Sequence, residues 1–151
     1  MLDKLDLNIL KILQINCKIT TEQLGYQVGL SATACQRRIK KLRESGVISN
    51  EIAVLNGDII GNFVTIIVNV TFKQGGKKNI SSFKSMVLKT PEVQQCYYVT
   101  GDSDFVLIIS VSNMKEYEKL TQRPLLNDPN IEKFSSTVVM ENVKTSLSIP
   151  L

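Results

Sequence analysis

The chain has 151 residues, 43% of them hydrophobic, enough for packed cores in one ordinary domain or two small ones. It has no histidine, which removes the commonest general base and metal ligand, so neither catalysis nor a metal is expected; its three cysteines, Cys17, Cys35 and Cys96, form no Cys-x-x-Cys pair and read as buried thiols in a reducing compartment. The net charge of +4 is concentrated: residues 1–50 carry eight Lys/Arg against four acids, while ten of each cancel over 51–151, as in a polyanion-binding head on a neutral body.

The chain opens with Met1-Leu2-Asp3-Lys4, without the basic and apolar regions of a targeting peptide, so cytoplasmic residence is expected. Leu5, Ile9, Ile12 and Leu13 follow helical spacing, with Asp3 and Asp6 near the start, where the helix dipole favours negative charge. Asn16-Cys17-Lys18 breaks this pattern. Thr20 with Gln23 is a capping box that opens a second helix through Leu24 and Val28, and Gly29 permits the backbone reversal that ends it. Ser31 is a good N-cap for a third helix, with Cys35, Ile39 and Leu42 on one face and Gly46 as its stop. Three short helices with a tight turn between the second and third make a helix-turn-helix, winged-helix-like domain over 1–50.

If Cys35, Ile39 and Leu42 face the core, Thr33, Gln36, Arg37 and Lys40 point outward from a helix that fits a DNA major groove. Arg and Gln can bond guanine and adenine edges in pairs, Thr can touch a thymine methyl, and lysines neutralise phosphates. Ser31, Thr33, Gln36, Arg37, Arg38, Lys40 and Lys41 are therefore the candidate DNA-binding residues. A short basic run is also what a solvated helix face looks like; the preceding turn and the local charge excess favour DNA.

Residues 51–55 are β-prone and Asn56-Gly57-Asp58 is turn chemistry, so 51–62 is predicted as a β-strand linker to a second domain over 63–151. Residues 64–72 read as a strand running to a turn at Gly75-Gly76, and 80–88 as a helix through Ile80, Phe83, Val87 and Leu88. Residues 93–99 form a strand, Gly101-Asp102-Ser103-Asp104 a turn and 105–111 another strand. Asn113 with Glu116 caps a helix carrying Tyr117, Leu120 and Leu125 that ends before Asp128-Pro129, and 134–140 is a last strand. The apolar stretches 63–70 and 105–111 are far shorter than the ~20 residues of a membrane helix.

The resulting fold class is α+β, with a ferredoxin-like βαββαβ domain behind the helices. Such a sheet carries both helices on one face, and a second copy of the same sheet is the economical cover for the other, so a dimer is expected. Tyr97 and Tyr98 alternate, one toward the helices and one into the open face. In the Gly-Asp-x-Asp turn, Asp102 or Asp104 can pair with an ammonium while the N–H of Gly101 holds a carboxylate; an ordinary hairpin turn has the same composition.

Several segments together resemble the leucine-responsive regulator and asparagine regulator (Lrp/AsnC) family of prokaryotic transcription factors. Leu2-Asp3-Lys4-Leu5-Asp6-Leu7-Asn8-Ile9-Leu10 is similar to the family's first helix, and Val28-Gly29-Leu30-Ser31 with Cys35, Arg37, Leu42 and Gly46-Val47-Ile48 to its DNA-reading segment. Thr100-Gly101-Asp102-Ser103-Asp104-Phe105 resembles its sensor signature, and Val138-Val139-Met140-Glu141-Asn142-Val143-Lys144 its last strand. Ala32 and Ala34 depart from the prolines many relatives carry there.

The resemblance implies a regulator of amino-acid metabolism genes that binds double-stranded DNA at the nucleoid. It further implies dimers formed through the sheets, four of which assemble as an octamer, and no cofactor beyond a small amino-acid effector such as leucine, methionine or asparagine. The effector is expected between dimers at Thr100, Gly101, Asp102 and Asp104, with Val138 and Val139 contributed by a neighbouring subunit. Two other functions compete: an architectural DNA-binding protein without an effector, and an amino-acid-binding regulatory subunit of an enzyme, against which the basic third helix argues.

Overall fold

A computed structural model describes residues 1–73, 80–123 and 125–151. The chain divides into two compact units, Met1–Val54 with Lys144–Leu151, and Leu55–Val143. Among the described residues no helix is long and apolar enough to cross a membrane.

The first unit holds α1 (Lys4–Leu13), α2 (Thr21–Val28) and α3 (Ala32–Glu44). Each begins where the local chemistry says it should. Asp3 caps α1 in a reciprocal box with Asp6, Thr20 caps α2 in one with Gln23, and Ser31 Oγ accepts from Ala34 N at 3.2 Å. Gly29 closes α2 at φ 71°, ψ 36°, a left-handed conformation that glycine adopts without a Cβ penalty. Ile9, Leu13, Leu24, Cys35, Ile39 and Leu42 make this unit's core.

Two expectations about this region need correction. No strand occurs in residues 1–63, so the winged-helix likeness stops at the three helices. Residues 51–55 are not a strand: a strand needs a ladder partner and no strand pairs with them among the described residues, while Asn56 turns the backbone into the single helical turn α4 (Gly57–Ile60), its carbonyl accepting from Ile59 and Ile60 N–H at 3.2 Å. Cys17 also departs from expectation, exposed in the α1–α2 connection, and Cys96 is only partly buried; Cys35 is fully buried.

The second unit comprises β1 (Val64–Phe72), α5 (Ile80–Leu88), β2 (Val93–Tyr98), β3 (Phe105–Val111), α6 (Met114–Thr121) and β4 (Ile131–Val138). The strands form one antiparallel sheet in the order β2-β3-β1-β4, the ferredoxin-like arrangement. Strict alternation builds its core: Ile66, Val68, Val70 and Phe72 of β1 and Phe105, Leu107, Ile109 and Val111 of β3 are buried with Phe83, Tyr117 and Leu120 of the helices. The expected Gly75-Gly76 turn lies outside the described residues.

Helix α6 ends at Thr121, yet Leu125 and Leu126 in the following turn still reach the core at 3% exposure each. Strand β4 runs from Ile131 instead of Phe134 and stops at Val138. The β1–β4 pairing carries a bulge at Thr71/Phe72 that brings Ile131 opposite Phe72, so Ile131 buries at the sheet end despite the polar Glu132 and Lys133 that follow it.

The other face of the sheet carries Thr65, Ile67, Asn69 and Thr71 of β1 and Val106, Ile108 and Ser110 of β3, all partly exposed. Tyr97 pairs with Val106 on this face, whereas Tyr98 turns to the helices, its ring 5.0 Å from Phe105 and 5.1 Å from Lys84 Nζ.

Candidate nucleic-acid interface and effector groove

Helix α3 buries Cys35, Ile39 and Leu42 and leaves Ser31, Thr33, Gln36, Arg37, Lys40 and Lys41 exposed. Its cations differ in what they are free to do. Arg38 is occupied: its Nη1 lies 2.7 Å from both Asp3 Oδ2 and Asp6 Oδ1, clamping α3 to the start of α1. The two carboxylates hold the guanidinium proton more firmly than usual, and the Asp3 carboxyl is held below its ordinary range, first by the Asp6 N–H and then by Arg38. Arg43 is likewise engaged by Glu51, with bonds of 3.0 and 2.8 Å. Lys40 stands only loosely against Glu44 at 3.7 Å, and among the described residues Arg37 and Lys41 have no carboxylate in ion-pairing range.

Of the candidate DNA-binding residues, then, Arg38 is turned inward as a structural clamp, while Thr33, Gln36, Arg37, Lys40 and Lys41 share the exposed surface, with Ser31 capping its amino end. Burial raises the Cys35 thiol above its usual range, against a weaker opposing pull from Arg38. With no exposed surface and the core of the helical unit around it, Cys35 serves as a packing group.

In the second unit the turn after β2 contains Thr100, Gly101, Asp102 and Asp104. Gly101 has φ 125°, a conformation that favours glycine. Asp104 is committed to the fold: its N–H donates to Val70 O and its Oδ2 accepts from Phe72 N, each at 2.8 Å, tying the turn to the end of β1. Asp102 is exposed, and its backbone carbonyl accepts from Thr71 Oγ1 at 3.3 Å.

Val138 and Val139 are elsewhere. Val138 pairs with Ile66 and Val139 N–H donates to Thr65 O, whereas Phe105, next to the turn, pairs with Val70. Ile66 and Val70 are four residues apart on β1, roughly 13 Å at strand rise, so one chain does not bring the two groups together.

What the fold does assemble beside the turn is a groove of about 520 Å³ on the open sheet face, lined by Asn69, Thr71, Asp102, Ser103, Lys133 and Ser135. Asn69 opposes Ser135, and Thr71 opposes Lys133, across β1 and β4. Lys133 and the Asp102 carboxylate have no ion-pair partner among the described residues. Sequence reasoning missed Lys133, Asn69 and Thr71. Their alternate spacing on strands was the available signal, but the pairing register that aligns them was not readable.

A capped three-helix unit presenting exposed cations from one helix, followed by a ferredoxin-like sheet, is the architecture of a helix-turn-helix DNA-binding protein with a second, α+β domain. Residues 2–43 match the AsnC-type helix-turn-helix domain, and residues 65–149 the Lrp/AsnC ligand binding domain. The chain is 41% identical to the HTH-type transcriptional regulator y4tD of Sinorhizobium fredii, over 99% of this chain and 89% of that protein. It is 38% identical to the leucine-responsive regulatory protein of Haemophilus influenzae, over 95% of this chain and 86% of that protein.

Among solved structures, an AsnC family transcriptional regulator from Agrobacterium tumefaciens superposes with a TM-score of 0.89 at 32% identity, covering 99% of this chain and 97% of the other. A transcriptional regulator from Neisseria meningitidis, in complex with L-Met, gives 0.87 at 27% identity with the same coverage. The chain belongs to the Lrp/AsnC family and is a helix-turn-helix transcriptional regulator, not an enzyme.

Proposed function

We propose that this regulator reads DNA through the exposed face of α3, with Thr33, Gln36 and Arg37 toward base edges, Lys40 and Lys41 on phosphates, and the Ser31 hydroxyl at the helix start toward the backbone. The observation that carries this reading is the division of charge on α3: intramolecular carboxylates take Arg38 and Arg43 and leave Arg37 and Lys41 available. In this reading the protein acts in the prokaryotic cytoplasm at the nucleoid, on genes of amino-acid metabolism. Two copies join through the open sheet faces around Ile67 and Ile108, and four such dimers make an octamer.

The effector in this reading is a small amino acid held beside the turn of Thr100, Gly101 and Asp102, with Val138 and Val139 supplied by a neighbouring subunit. A free carboxylate on Asp102 and a free ammonium on Lys133 complement the two charges of an α-amino acid. The remaining lining, Asn69, Thr71, Ser103 and Ser135, is polar and uncharged, which favours a polar side chain such as that of asparagine over leucine or methionine. Asp104 is then a support of the turn.

The test is fluorescence anisotropy on a selected operator and on a scrambled duplex at two salt concentrations, with single amino acids added. Arg37→Ala is expected to weaken specific binding by about 1–3 kcal/mol, and Lys41→Ala to lower affinity on all sequences while reducing the salt slope by about 1. Unchanged affinity in both variants sinks the α3 assignment. A response to leucine or methionine but not asparagine overturns the groove's polar preference and leaves DNA reading intact; indifference to every amino acid favours an architectural role.

A further inference from the structure

The first unit contains a segment that no helix-turn-helix argument requires. Lys144–Leu151 belongs to it, although β4 and residues 139–143, which lead into that tail, belong to the second unit. The chain therefore passes between the units twice.

The tail is held at the carboxy end of α1. Gln14, the C-cap residue, offers a primary amide with the same donor and acceptor pair as a peptide group, and Ile149 answers both: Gln14 Nε2 donates to Ile149 O, and Ile149 N–H donates to Gln14 Oε1, each at 2.9 Å. Ser148 Oγ reaches the Gln14 carbonyl at 3.5 Å, one of the carbonyls that α1 leaves without a helical partner. Ser148 N–H bonds Ser146 Oγ at 3.1 Å, a local turn that shapes the approach.

This attachment is polar throughout. Leu147 and Ile149 remain 70% and 65% exposed, so no buried side chain anchors the tail. Exposed hydrogen bonds are individually weak, and a contact built from them opens and closes reversibly.

We propose that the tail is a latched second tether of the DNA-reading unit, with Gln14 as a positioning residue that restricts where α3 is presented. This rests on the reading of α3 as the DNA-contacting helix and of the protein as a dimer. A single flexible tether lets each reading unit sample many orientations; a second one removes part of that freedom before DNA is met. The benefit appears when two units engage two half-sites at once, because the second engagement depends on the effective concentration the tethers set. On a single half-site there is no second engagement to favour.

The experiment compares the wild-type chain, Gln14→Met and a chain ended at Val143 on duplexes carrying one half-site or two, spaced by one helical turn. Gln14 is exposed and its helix-capping bonds are made by its backbone, so the methionine variant keeps α1. Both variants are expected to lose about fivefold in affinity on the two-site duplex and less than about twofold on the single site. Equal losses on both duplexes, or none on either, overturn the positioning role. Without DNA, amide exchange at Ile149 is expected to be severalfold faster in Gln14→Met than in wild type; equal rates overturn the latch itself. A wild-type chain that gains nothing from the second half-site overturns the dimeric reading on which the proposal stands.

Discussion

Gly25→Ala tests how α3 is held in place. Gly25 lies inside α2, and a Cβ at that position would stand 2.4 Å from Leu30 O, 3.4 Å from Leu30 C and 3.5 Å from Ala32 N. All three atoms are backbone and cannot rotate away. The turn into α3 must retreat by about 0.6 to 1 Å to restore contact distance, stretching the 2.9 Å bond from Leu30 N to Gly25 O and moving the Ser31 cap. A backbone approach of 2.4 Å belongs in the upper part of the overpacking range, about 2–3 kcal/mol, and alanine recovers about 1 kcal/mol over glycine within a helix, leaving a net loss of about 1–2 kcal/mol.

For a unit of this size that loss corresponds to a fall of about 5–15 °C in the melting temperature, read by far-UV circular dichroism. Specific DNA binding should weaken in parallel, because the clash displaces the amino end of α3. Gly29→Ala is the control: nothing lies within 4 Å of its Cβ position, and its φ of +71° alone predicts a loss of about 1–2 kcal/mol. A Gly25→Ala variant as stable as wild type refutes the claim that backbone contact at Leu30 sets the turn.

Arg38→Ala is expected to lower the melting temperature of the helical unit while leaving the salt dependence of DNA binding unchanged, since Arg38 faces Asp3 and Asp6. Asp3 is held below its ordinary pKa, so its contribution is fully present above the unfolded value of ~3.9 and is lost as pH falls through the lower folded value. The difference in urea midpoint between wild type and Arg38→Ala should therefore begin to narrow below about pH 4 and shrink further as pH falls; a gap that stays constant as pH falls argues against the clamp. Asp104→Ala leaves the Phe72 N–H without its acceptor and is expected to cost about 1–3 kcal/mol, whereas Asp104→Asn keeps an acceptor and should restore most of it. Equal stability of the two variants in denaturant titrations would show that the turn does not depend on this bond.

The features legible in the sequence are those settled within one turn of helix or one pleat of strand. Thr20 with Gln23, Ser31 before Ala34, and Asn113 before Glu116 are short-range capping pairs, and each lies where it was expected. The alternation of Phe105, Leu107, Ile109 and Val111 marks a strand and its buried face without reference to any other segment. These local signals, ordered along the chain, also determine the βαββαβ sequence of elements.

What only the tertiary structure decided is which of several chemically equal neighbours is free. Arg37 and Arg38 are adjacent and alike, and the location of Asp3 and Asp6, more than thirty residues away, turns one into a clamp and leaves the other exposed. Asp102 and Asp104 differ because the end of β1 supplies an N–H to one of them. Lys133 joins the groove only through the register that sets Thr71 opposite it, and the tail reaches Gln14 across 135 residues of sequence. A carboxylate, an N–H or an amide can claim a partner only once folding has brought it within hydrogen-bonding distance, and composition and periodicity carry no information about distance between segments far apart in the chain.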